Sequence, residues 1–280
     1  MTNISTETSR KGSRFYTDET TGEKFPSVTT VISKVATDVR ALQKWRESVG
    51  VEEAAKISAS AASLGTKVHK VNELFMTQQE IPDKYLEQTD VMKRHELFKP
   101  FLANVNPLLV EQEIIWKGRM YEQTIGFGGT PDLVGLFQDP QKLGLDIEPF
   151  VFLLDFKNWR ASKSAQNLIT NYLQLAAYTA AVNTRYGYKI QNAFILGTTV
   201  KKLHIYHLSQ RELNWYWVWF IECLKKFHNL PTNFTRSALM EFSVGYQLEG
   251  VDEEGSKIWG QKEENYLPKK LALLLEEEST

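Results

Sequence analysis

Residues 150–158 read FVFLLDFKN, an apolar run that ends in Asp155 and Lys157. Side chains two apart on an extended chain leave the same side, so a carboxylate and an ammonium stand together where the apolar face of Val151 and Leu153 stops. Upstream, Asp132 opens a second strand-like run in GGTPDLVG. If 130–137 and 150–158 pair antiparallel, the start of one lies beside the end of the other. Asp132 and Asp155 then converge, with Lys157 facing the same way. Two carboxylates and a lysine make a hard-oxygen cup suited to Mg²⁺ or Mn²⁺. The chemistry that uses such a cup is phosphodiester hydrolysis, in which the metal activates water and shields the phosphoryl oxygens. The lysine either stabilises the phosphorane-like transition state or, with its pKa lowered by burial, takes the water's proton.

Other residues extend the constellation. His69, in LGTKVH, has Glu73 one helical turn on, a pair that serves a metal or a structural hydrogen bond equally well. Gln174 and Tyr178, four apart, share a helix face with Asn171, where a buried polar network is the competing account. Glu111 and Glu113 would share a strand face in VEQEII, reaching a second metal or lying exposed; both are left out of the expected ligand set. Lys117, Arg119, Arg160, Lys163, Lys201 and Lys202 flank the strand ends as phosphate contacts. The aromatic run WYWVWF at 215–220 could stack bases, but nothing basic is interleaved with it, and packing against the sheet is preferred.

The elements that must position these groups follow from patterning. Residues 14–32 read as a hairpin turning at Thr21-Gly22, with a helix start at Ser27 or Thr29. Helices are expected over 37–49, 51–79 and within 80–105. LLVEQEIIWKGR, TPDLVGLF and FVFLLDFKN follow as strands joined by links that are glycine-rich or contain Asp-Pro. A helix over 163–186, strands over 190–197 and 201–208, and a helix opened by the capping box Ser209–Glu212 complete the order. That order predicts an α/β fold with a mixed sheet flanked by helices.

The ordered set GGTPD, DFK and Q-x-x-x-Y resembles the PD-(D/E)xK nuclease superfamily. With LGTKVH, similar to a G-T-x-x-H helix motif, it resembles the RecB-like exonuclease branch over about residues 60–210. SVTTV and QLAAYTAAVN are similar to the mitochondrial genome-maintenance exonuclease type. The resemblance implies a restriction-endonuclease-like α/β core with a mixed central sheet flanked by helices, plus a helical N-terminal portion. It implies that His69, Asp132, Asp155 and the carbonyl of Phe156 hold Mg²⁺ or Mn²⁺, and that Lys157 is catalytic with Asp132 and Asp155. Gln174 and Tyr178 would touch DNA or orient the site. The implied activity is a DNA exonuclease, on single strands by preference, leaving 5′-phosphates in replication, repair or recombination. A structure-selective endonuclease, a non-catalytic DNA-binding accessory protein and a protein-interaction adaptor are the alternatives.

Composition bounds these readings. With 280 residues, 42% hydrophobic, the chain can bury a sizeable core. Its one cysteine, Cys223, excludes a disulfide framework, a four-cysteine zinc site and a four-cysteine iron–sulfur cluster within the chain. That departs from CRISPR-associated RecB-like nucleases, which carry such a cluster. Net charge is −1, with a net −4 over residues 251–280 and +3 over the rest, so bulk charge neither requires nor forbids DNA. No apolar run approaches the roughly 20 residues of a membrane span. The N-terminus lacks a secretory pattern, and a cytoplasmic, bacterial or viral setting is expected over a mitochondrial one. The expected organisation is a flexible tail (1–13), an N-terminal hairpin and helical portion (14–105) whose helices, roughly 37–105, wall a passage across the site, a nuclease core (106–230) and a C-terminal extension with an acidic tail (231–280).

Overall fold

The computed structural model describes residues 3–10, 12–139, 148–160, 163, 168–243, 246–251 and 257–261. In chain order the elements are β1 (Ile4–Thr8), β2 (Arg14–Asp18), β3 (Glu23–Pro26), α1 (Val28–Val35), α2 (Val39–Val49), α3 (Val51–Met76), α4 (Asp83–Leu86) and α5 (Thr89–Leu102). Then come β4 (Val105–Val110), β5 (Ile114–Met120), β6 (Gln123–Gly129), β7 (Leu133–Phe137), β8 (Phe150–Asn158), α6 (Ile169–Tyr186), β9 (Asn192–Thr198) and β10 (Leu203–Ser209). The last are α7 (Gln210–Phe227), α8 (Arg236–Ser243), β11 (Tyr246–Val251) and β12 (Lys257–Gln261). A five-stranded mixed sheet, ordered β10-β9-β8-β7-β4, lies at the centre. Helices cover both faces, giving the α/β architecture that the patterning predicts. The β8–β9 pair is parallel, and α6 makes the crossover that such a pair requires.

Strand alternation sorts the apolar side chains into two cores. Phe152, Leu154 and Phe156 of β8 point to the layer of α3 and α5, while Leu153 points with Val134, Ala193 and Ile195 to the layer of α1, α6 and α7. In the first layer Phe101 sets its ring 5.2, 6.0 and 5.8 Å from those of Phe137, Phe152 and Phe194. The aromatic helix α7 packs in the second layer, with Tyr216 and Phe220 buried and Trp217 against Trp116 of β5. The capping box at Ser209 and Glu212 starts it as expected.

The 26-residue α3 shows why one helix can serve both packing and chemistry. Val68, Val71 and Met76 enter the first core. On another stripe, Gly65, Thr66, His69, Lys70 and Glu73 line an open cleft. Gly65 sits inside the helix, where glycine costs about 1 kcal/mol relative to alanine, yet a Cβ built there meets nothing within 4 Å.

Several elements differ from the sequence reading. The segment expected as a flexible tail contains β1, which pairs antiparallel with β2 from Ile4↔Asp18 to Thr8↔Arg14. The run 108–119, expected as one strand, breaks where Glu111 takes φ +47°. Only β4 joins the central sheet; β5 turns away to pair with β6 in a separate hairpin. The glycines expected in a link lie inside β6 instead. At Gly129 the reason is close approach, since a Cβ would come within 2.2 Å of the Tyr178 ring. Lys117, expected at a phosphate, is ion-paired to Asp18 (2.7 Å) and Glu23, where it ties the N-terminal hairpin to β5. The expected helix over 163–186 is α6, beginning at Ile169; residues 161–162, 164–167, Pro140 and the acidic tail over 262–280 lie outside the described residues.

Two outcomes follow from this packing. Phe101→Ala removes the ring at the centre of the first core and lowers unfolding free energy by about 3–5 kcal/mol in urea denaturation. Cys223 is fully buried and burial pushes its thiol up to about 12. A colorimetric thiol reagent at neutral pH therefore leaves native protein unmodified and titrates one thiol after denaturation.

Candidate metal centre

Register builds the floor of the cleft. Leu133 pairs with Leu154 in the antiparallel β7–β8 ladder, and one step further sets Asp132 beside Asp155. The Phe156 backbone N–H donates to Asp132 Oδ2 at 2.6 Å, and the Glu111 N–H donates to the Asp132 carbonyl at 3.1 Å. These bonds fix Asp132, which is 8% exposed, and hold the end of β4 against it.

Asp155, 1% exposed, faces the α6 layer. Its Oδ1 accepts from Gln174 Nε2 at 3.0 Å, and its Oδ2 is ion-paired to Lys157 Nζ at 2.5 Å. Tyr178 is buried with its ring edge on Gly129. The Gln174 amide thus orients the Asp155 carboxylate.

From the opposite layer α3 delivers His69. Its Nε2 lies 3.0 Å from the Phe156 carbonyl, which can only accept, so Nε2 carries the proton. Nδ1 then faces Asp132 Oδ1 at 3.4 Å and Glu111 Oε1 at 3.8 Å. His69, Glu111 and Asp132 each offer a donor atom, all within 4.8 Å of one another. The expected residues His69, Asp132, Asp155, Phe156 and Lys157 are therefore brought together, but the compact donor group differs from the expected set. Glu111 belongs to it. Asp155 stands outside it beside Lys157, and the Phe156 carbonyl is occupied by His69. Read as one strand, 108–119 puts Glu111 and Glu113 on a shared face and neither in the ligand set. The positive φ at Glu111 separates them: Glu111 enters the cleft, and Glu113 accepts from Thr6 Oγ1 at 2.6 Å. The polar triplet 111–113 interrupting an apolar run was the available signal.

The charges perturb one another strongly. Burial works to lower the pKa of His69, but the Asp132 and Glu111 carboxylates outweigh it and raise His69 to about 10. Burial works to raise Asp132, and the His69 cation outweighs it. Burial pushes Glu111 up, and pushes Asp155 up to about 6 against the opposing pull of Lys157. Lys157 is raised because Asp155 and Asp132 outweigh its desolvation. It is therefore an ammonium, which favours charge stabilisation over proton abstraction, the other role considered for it.

The donor set fits a hard divalent cation. Two carboxylates and one imidazole converge on an open cleft of about 500 Å³, with the buried Asp155 carboxylate beside them.

Comparison with known proteins adds little to this geometry. No protein-family model and no curated protein matches the chain. Among solved structures, the crystal structure of SSO0001 is similar over 78% of this chain and 81% of its own, at 13% identity and a TM-score of 0.38. A likeness that weak carries no argument about function. Among the described residues, no helix is long and apolar enough to cross a membrane.

Binding of Mn²⁺ to the folded chain alone stabilises it by about 2.7 kcal/mol at 100 times its Kd, read as a rise in melting temperature. Glu111→Gln and Asp132→Asn both reduce that rise and weaken Mn²⁺ binding in calorimetric titration. Gln174→Ala, which frees Asp155 beside the donor group without removing a donor, reduces that rise less than either substitution.

Proposed function

We propose that this chain is a divalent-metal-dependent deoxyribonuclease, acting as an exonuclease on single-stranded DNA and leaving 5′-phosphates. The observation that carries the reading is the convergence of His69, Glu111 and Asp132, with Asp155 and Lys157 beside them, on the floor of one open cleft. The sequence resemblance to RecB-like exonucleases supports the substrate class. Mg²⁺ or Mn²⁺ held there would supply a nucleophilic water and shield the phosphoryl oxygens.

The chain's own groups divide the remaining work. Asp132 and Glu111 orient donor oxygens toward the cleft, each fixed by the backbone around β7 and β8. His69 presents Nδ1 on the same side, after giving up the proton that it carries between the two carboxylates. Gln174 holds Asp155, and Asp155 holds Lys157. The Lys157 ammonium, 23% exposed on its side chain, is fixed where charge builds on a phosphoryl group entering the cleft. Such a fixed cation is worth more than a mobile one because no reorganisation is needed as the charge develops.

The test is digestion of labelled single-stranded DNA in Mg²⁺ or Mn²⁺, using linear, end-blocked and circular forms beside a duplex. Loss of the free-ended single strand only, abolished by a chelator, is the expected result. Lys157→Ala lowers kcat by about 100–1000-fold while Mn²⁺ still raises the melting temperature. Cutting of the circle makes the protein an endonuclease. Binding without metal-dependent cleavage of any form makes it an accessory DNA-binding protein.

A further inference from the structure

We infer that the substrate strand runs between Gly65 on α3 and Arg14 on β2, its sugar–phosphate backbone against the bare helix face and one phosphate on the Arg14 guanidinium. This deepens the proposed function and rests on its assignment of a nucleic-acid strand to the cleft.

Two independent observations carry it. The first is the unexplained glycine. Gly65 lines the cleft four residues, or about one helical turn, before His69, so both lie on the same face of α3. Its φ is not positive, and a Cβ there would meet no atom within 4 Å. Neither backbone conformation nor packing asks for glycine at a position where alanine would stabilise the helix. The remaining demand for a bare backbone is a partner that comes close to the helix when the cleft is filled. Close approach of a ligand backbone is a standard use of glycine.

The second is an uncommitted cation. The basic side chains lining the cleft are Arg14, His69, Lys70 and Lys157. His69 faces Asp132, Lys70 is paired to Glu73 at 2.7 Å, and Lys157 is paired to Asp155. Of these four, Arg14 alone has no ion pair or side-chain hydrogen bond among the described residues, although its backbone N–H is pinned by Thr30 Oγ1 at 3.0 Å. An exposed arginine held on a strand at the rim of an acidic cleft suits an anion that must also approach the metal. Its planar fork matches a phosphate. The acidic floor repels a polyanion unless cation charge is supplied at the edge, which gives Arg14 a reason to remain unpaired.

The experiment measures binding of a fluorescent oligothymidylate by anisotropy in Ca²⁺, with melting temperatures taken on the same samples. Gly65→Leu is expected to weaken binding about tenfold or more by filling the strand's space without lowering the melting temperature. Gly65→Ala is expected to raise the melting temperature by about 2–4 °C and to raise KM for single-stranded DNA with kcat changed less. Arg14→Ala is expected to reduce the slope of log affinity against log salt by about 0.7, one phosphate contact on a single strand. The inference is overturned if Gly65→Leu binds like the parent, if its affinity falls together with its melting temperature, or if Arg14→Ala leaves the salt slope unchanged. No metal-dependent cleavage by the parent protein, with the binding differences intact, removes the nuclease reading and leaves the strand path standing.

Discussion

The hydrogen bond from the Phe156 N–H to the Asp132 carboxylate is the point on which the rest of the site depends. It closes the β7–β8 ladder one step beyond its last regular pair, using a side chain where a backbone carbonyl would otherwise accept. That substitution holds a carboxylate at the end of a central strand with almost no exposure to water. It also fixes the direction of β8 at the position where Asp155 and Lys157 must leave toward one layer and Phe156 toward the other. A one-residue slip would exchange these faces, placing two charges in the phenylalanine core. The apolar alternation of Phe152, Leu154 and Phe156 therefore specifies the chemistry as firmly as the charged residues do.

The cluster is costly to bury. Asp132, Asp155, Glu111 and Lys157 all lose water, and a buried ionic group is tolerated only when partners replace that water. Here each charge is answered: Asp132 by His69 and a backbone N–H, Asp155 by Gln174 and Lys157, Glu111 by His69. The histidine is shared by two acids, so its elevated pKa reflects an excess of negative charge on the cleft floor. A divalent cation taking up Nδ1 and the two carboxylates would replace one proton with two charges.

Sequence legibility followed physical range. Side-chain period two in 150–158 and the inferred antiparallel pairing placed Asp132, Asp155 and Lys157 correctly, because both rest on local geometry and one neighbouring strand. His69 was legible through LGTKVH, but its partners on β7 and β8 were not derivable from the helix itself. Glu111 was lost because its direction depends on a single positive φ, and no glycine or asparagine marks that break. The β5–β6 hairpin was missed for a related reason. Glycine at 126, 128 and 129 signals loops in general, whereas here aromatic rings from Tyr16, Phe25 and Tyr178 occupy the space that side chains would take. Lys117 looked available in the sequence, and its carboxylate partners Asp18 and Glu23 are almost a hundred residues away along the chain.

The two-core arrangement has a consequence for biosynthesis. The groups on the cleft floor come from α3, the end of β4, the entry to β7 and the end of β8, and Gln174, which holds Asp155, comes later still. Contacts so distant in sequence form late, after loop closure has brought the strands together. A chain emerging from the ribosome through β7 carries His69, Glu111 and Asp132 but lacks the Phe156 N–H that fixes the acid, and one emerging through β8 lacks the Gln174 amide. The order of the elements thus completes the cluster only once α6 has been made and has docked on the sheet.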